Sequence, residues 1–114
     1  MAERKQDHVF REELYLCGIN TPECVLLLID REHFSIGKNP DNDGVLLFND
    51  EISRNHCVID YEHGIYRLKD CGSSNGTAIN GKMADRETGI AIDAGDIIQL
   101  AGSTFEVCRI KTDE

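Results

Sequence analysis

Apolar residues along this chain come in short bursts, and from Leu14 onward nearly every burst is closed by a turn former. Leu14–Ile19 predicts a first strand, ended by the turn Asn20-Thr21-Pro22-Glu23. Cys24–Ile29 (CVLLLI) is a continuous apolar run, short enough for a strand buried on both faces. Phe34–Gly37 begins a third strand. The turn-rich NPDNDG segment (Asn39–Gly44) leads to a short strand at Val45–Phe48. His56–Glu62 alternates, with Cys57, Ile59 and Tyr61 as the expected core face. After His63-Gly64, Tyr66 and Leu68 keep that phase. Thr77–Ile79 runs into Asn80-Gly81, a hairpin signal, and Ile90 and Ile92 follow. Asp96–Ala101 and Thr104–Ile110 close the chain as a hairpin about Gly102-Ser103. Short strands, even turn spacing and no substantial helix predict an all-β sandwich or barrel of ten or so strands. Residues 1–13 read as a short helix or a loose extension, 14–110 as the domain and 111–114 as a tail.

Two polar loops interrupt this pattern: Asn49–His56 (NDEISRNH) and Lys69–Gly81 (KDCGSSNGTAING). The strand leaving His56 turns at His63-Gly64 and returns near Asp70. A hairpin with arms of similar length brings both loops to one end of the sandwich. Ser53-Arg54 and Ser73-Ser74-Asn75 then become neighbours on scaffolded loops. Arg54 offers a planar fork of donors suited to phosphate or carboxylate. Ser53 and Ser74 add hydroxyls, and Asn75 adds a donor and an acceptor suited to a peptide backbone. The expected site is an anion clamp without catalytic residues.

Charge and composition narrow the partners. The formal charge of -9 over 114 residues argues against nucleic acid and anionic membranes. No apolar run approaches the roughly 20 residues of a membrane span. No signal peptide is expected, and the expected compartment is the cytoplasm. Five cysteines without a CxxC read as buried free thiols, with Cys57 and Cys108 in the core; no metal and no cofactor is expected.

Three motifs are near misses. Gly72–Gly76 matches GxSxG, but a nucleophile elbow needs a helix next, and a strand is expected there. Gly76–Lys82 resembles the front of a phosphate loop, yet Met83 replaces the magnesium-binding hydroxyl. Asn39, Asp41, Asp43 and Asp50 fall at calcium-loop offsets without the closing glutamate, so a capped turn is the better reading.

Gly37-Lys38, Ser53-Arg54-Asn55-His56, Ser73-Ser74-Asn75-Gly76-Thr77 and Asn80-Gly81 together resemble the signature of the forkhead-associated (FHA) domain. Order, gaps and flanks fit from about Leu14 to Ile110. The resemblance implies an eleven-stranded antiparallel β-sandwich that binds phosphothreonine peptides at one end, with a Ser/Thr kinase substrate as partner. It implies phosphate contacts from Lys38, Ser53, Arg54 and Ser74, and a peptide-backbone contact from Asn75. His56 would order the Ser53 loop, while Gly37, Gly76, Thr77, Asn80 and Gly81 would shape the backbone. The family usually has arginine where this chain has Lys38, which keeps the charge but loses the bidentate fork. Glu51, Gly72 and Ser73, at the loop tips, are expected to tune specificity, with Glu51 disfavouring acidic residues after the phosphothreonine. The alternative is a docking or oligomerisation surface of the same fold that needs no phosphate.

Overall fold

The computed structural model describes residues 10 and 12–111. The segments read as an extension and a tail lie mostly outside them. Phe10 is described, and it packs edge-on against Tyr61 and Tyr66.

Eleven strands form two sheets: β1 (Leu14–Gly18), β2 (Leu26–Leu28), β3 (His33–Gly37), β4 (Gly44–Val45), β5 (Cys57–Glu62), β6 (Ile65–Asp70), β7 (Thr77–Ile79), β8 (Lys82–Met83), β9 (Ile90–Ile92), β10 (Ile97–Leu100) and β11 (Ser103–Arg109). One sheet runs β2-β1-β11-β10-β7-β8, the other β4-β3-β5-β6-β9. Every pair is antiparallel except β3–β4. Leu14, Leu16, Phe105, Val107, Ile98 and Leu100 from the first sheet meet Phe34, Ile36, Ile59, Leu68 and Ile92 from the second in one core. No helix among the described residues is long and apolar enough to cross a membrane.

Several local expectations need correction. The CVLLLI run is not buried on both faces. Only Leu26–Leu28 forms a strand, it lies at a free sheet edge, and Leu26 remains 59% exposed. Within the strand only Leu27 turns in, beside Gly44, while Val25 and Ile29 on either side of it also pack on the core. The strand expected at Val45–Phe48 stops at Val45: the Leu46 N–H gives the last bond of the β3–β4 pairing, to Gly37 O, and the Leu46 side chain is buried in the core. At the start of β5 both faces are covered, with Val58 buried as well as Cys57 and Ile59, and His56 buried just before the strand. The last hairpin turns at Ala101-Gly102, one residue early, with both residues at positive φ. Strand β8 has no counterpart in the expectations, since Lys82 and Met83 are exposed and too few to show alternation. The thiols are free, but only Cys57 is buried; Cys24 and Cys71 are exposed, and Cys108 is half-buried.

Candidate functional site

The β5–β6 hairpin behaves as its turn demands. His63 and Gly64 take φ of 54° and 80°, and Cys57 lies opposite Asp70 at the other end. The loops before β5 and after β6 therefore leave the sheet side by side. The first loop is laid down on β3. Gly37 sits so close to it that a Cβ would fall 2.0 Å from the Arg54 carbonyl oxygen, which only glycine allows. Lys38 N–H bonds to Ser53 O at 3.1 Å, Asn39 N–H to Arg54 O at 3.1 Å, and His56 N–H to Ile36 O at 2.9 Å. Asn42 Nδ2 adds a bond to Arg54 O at 2.7 Å.

Two buried polar groups join the loops. His56 is wholly buried. Its Nδ1 accepts the Ser53 N–H at 3.0 Å, so Nε2 carries the proton and donates to Gly76 O at 2.9 Å. Asp70 organises the second loop, taking the N–H groups of Gly72 and Ser73 and the hydroxyls of Ser73 and Thr77. Burial alone would push this carboxyl up, but hydrogen bonds from Ser73, Thr77 and Gly72 outweigh it and hold it below the usual range. Ser73 Oγ in turn accepts the Gly76 N–H at 2.9 Å.

The candidate side chains converge on one open depression of about 500 Å³, lined by Lys38, Asp50, Glu51, Ile52, Ser53, Arg54, Ser74 and Asn75. Ser53 Oγ accepts the Ser74 N–H at 3.0 Å, which leaves the Ser53 hydroxyl proton free to donate outward. Lys38 Nζ reaches across to Asp50 O at 2.9 Å, spending one of its three donors. Asn75 Nδ2 ties the loops by bonding Glu51 O at 3.0 Å, keeping its side-chain oxygen and second N–H free. The Arg54 side chain has no hydrogen-bond or ion-pair partner among the described residues. Thr77 is buried beneath the loop and gives its hydroxyl to Asp70. Asn80 and Gly81 are not at this rim. They turn β7 into β8 beside Asp96 and Ile97 at the far end, with φ of 50° and 85°.

The sequence profile of the FHA domain matches residues 34–101, well over half of the chain. This chain belongs to the FHA domain family. An FHA domain-containing protein of Arabidopsis thaliana is 35% identical over 63 residues; the match spans 55% of this chain and 16% of that protein. Among solved structures, Mycobacterium tuberculosis EmbR in complex with a low affinity phosphopeptide superposes with a TM-score of 0.74 at 25% identity. That match covers 91% of this chain and 26% of EmbR. An FHA domain solved in work on phosphothreonine-dependent FHA domain interactions gives a TM-score of 0.75 at 22% identity, over 88% of this chain and 99% of that one.

Within this FHA domain, several residues that shape the rim were not singled out from the sequence. Asn49 pins its loop by bonding Ala101 O and Ser103 Oγ and by accepting the Glu51 N–H. In the sequence Asp70 marks only where the hairpin returns, although Asp-x-x-Ser at the end of a strand is a recognisable self-bonding turn. The near-miss motifs have ordinary explanations in the FHA fold. Gly76 leads into strand β7, and both ring nitrogens of His56 are held by backbone, so neither can serve as a base for Ser74. Partial desolvation of its sulfur, then the Asp70 charge, pushes the neighbouring Cys71 thiol up although the residue is exposed. Asp43 is turned to Arg31 and to Ser35. Asn39 Oδ1 accepts the Asp41 N–H, closing the turn expected there.

Proposed function

We propose that this FHA domain binds phosphothreonine peptides, using Ser53, Arg54, Lys38 and Ser74 to hold the phosphate and Asn75 to hold the peptide backbone. One observation carries the reading: four groups able to donate to a phosphate line one depression, on loops locked together by His56 and by the Ser74–Ser53 bond. The relative solved in work on phosphothreonine-dependent interactions supports it. A phosphate carrying about -1.5 to -2 charges meets two cations and two hydroxyls here. The partner is a phosphoprotein made by a Ser/Thr kinase, and the domain is an interaction module rather than an enzyme.

Substitution at the phosphate contacts tests this. Ser53→Ala and Arg54→Ala should each weaken a phosphothreonine peptide about tenfold or more, the scale of one charge-assisted hydrogen bond. Circular dichroism should be unchanged. Wild-type affinity in both variants would contradict the assignment. Equal affinity of the wild type for threonine and phosphothreonine peptides would favour docking without phosphate instead.

A further inference from the structure

Resting on the phosphothreonine reading, we propose that Arg86 reads an acidic side chain of the bound peptide, two to four residues from the phosphothreonine on the flank away from Glu51. Arg86 lies between β8 and β9, on a loop fastened to the base of the β6–β7 loop. Ala84 N–H bonds to Thr77 O at 2.9 Å, and Asp70 N–H bonds to Asp85 O at 2.9 Å. The Asp85 carboxylate then takes the N–H groups of Thr88 at 3.1 Å and Gly89 at 2.7 Å. Gly89 itself is pressed against Leu68, where a Cβ would fall 2.6 Å from the carbonyl oxygen. Arg86 therefore projects from a short, tied segment.

Its guanidinium covers Gly72. A Cβ at Gly72 would stand 3.4 Å from Cζ and 3.6 Å from each terminal nitrogen. Near-equal distances mean that the flat face of the group rests on the glycine. The donors lie in that plane, so they point along the rim rather than into the protein, in the fork geometry that suits a carboxylate. No ion pair joins Arg86 to a carboxylate among the described residues. The nearby Asp70 is already taken by four donors of its own loop.

Position along the loop supplies the specificity. Gly72 carries Arg86, Ser74 bonds Ser53, and Asn75 bonds Glu51, in that order. Along this loop Ser74, a proposed phosphate contact, thus lies between the residue that carries the Arg86 guanidinium and the residue that bonds the Glu51 backbone carbonyl. Glu51 lines the depression, whereas Arg86 stands outside it. Gly72 and Ser74 are at most about 7 Å apart, and the guanidinium adds about 4 Å, whereas an extended peptide advances about 3.3 Å per residue. A span of about 11 Å corresponds to about three residues, and side-chain reach at either end widens this to two to four.

The test is fluorescence polarisation with phosphothreonine nonapeptides on an alanine background, carrying aspartate in turn at each flanking position. Wild type should bind about three- to tenfold tighter when aspartate occupies one or two adjacent positions. Arg86→Ala should abolish that gain while leaving the all-alanine phosphopeptide within twofold. Arg86→Glu should transfer the gain to lysine at the same positions. Glu51→Ala should relieve a penalty on aspartate at the opposite flank. Phosphate-dependent binding with no aspartate gain, or with a gain that Arg86→Ala leaves intact, overturns this inference and spares the phosphothreonine reading. An Arg86-dependent gain on the flank where Glu51→Ala acts overturns the flank assignment. Loss of any difference between threonine and phosphothreonine peptides overturns both readings together.

Discussion

At Lys38 the chain departs from the arginine usual in FHA domains, and the consequence can be counted in donors. One N–H of Nζ is spent on Asp50 O, and the remaining two cannot form a planar fork. Lys38→Arg should therefore tighten a phosphothreonine peptide by about 1 kcal/mol, roughly fivefold, in a polarisation titration. Unchanged or weaker binding would show that position 38 does not face the phosphate. Asp70 makes a second prediction at this scale. Its folded pKa lies below the ordinary value, so the carboxylate stabilises the fold above the unfolded pKa of about 3.9 and loses that contribution as pH falls through the folded value. Asp70→Asn should cost about 1–3 kcal/mol at pH 7 in chemical denaturation. The gap to wild type should narrow at pH 3. A gap that does not change with pH would mean the hydrogen bonds, not the charge, set its worth.

The β5–β6 hairpin is the element that delivers both loops to one rim, and its turn carries a removable cost. His63 stands at φ 54°, where a non-glycine residue is strained, while asparagine tolerates that region and suits the first place of such a turn. His63→Asn should raise stability by about 0.5–1 kcal/mol, with a melting temperature about 2–6 °C higher by calorimetry. A lower melting temperature would reveal a contact of the His63 ring. This hairpin was legible because its turn is a strong local signal and its two arms share one alternation. The paired neighbourhood of Ser53 and Ser74 followed from that reading alone. Elements whose fate depends on distant partners were less legible. Nothing local says that Leu26 and Leu28 lie on a free edge, because their partners in the sheet, Cys17 and Tyr15, belong to another strand across an intervening turn. Leu46 left its strand for a place in the core that only the assembled sheets create. Asn49 acts through Ala101 and Ser103, 52 and 54 positions away, so residue type alone could not assign it a part, whereas Asp70 bonds its own loop through a spacing that is visible locally. Arg86 was likewise invisible, since it depends on Gly72, fourteen positions earlier, lying beneath it.

At the scale of the whole molecule, a chain of formal charge -9 sets two cations, Lys38 and Arg54, beside two acids, Asp50 and Glu51, around the proposed phosphate site. Long-range repulsion opposes the contacts, so binding rests on short-range donors and on the ionised phosphate. Affinity should fall as pH drops through about 6, where a phosphate gains a proton. The most direct measurement is isothermal titration of one peptide in threonine and phosphothreonine forms against the wild-type domain at pH 7.5. The account predicts heat and saturation for the phosphorylated form, at least tenfold weaker binding for the other, and loss of that difference in Ser53→Ala. Equal binding of both forms, or of neither, would contradict it.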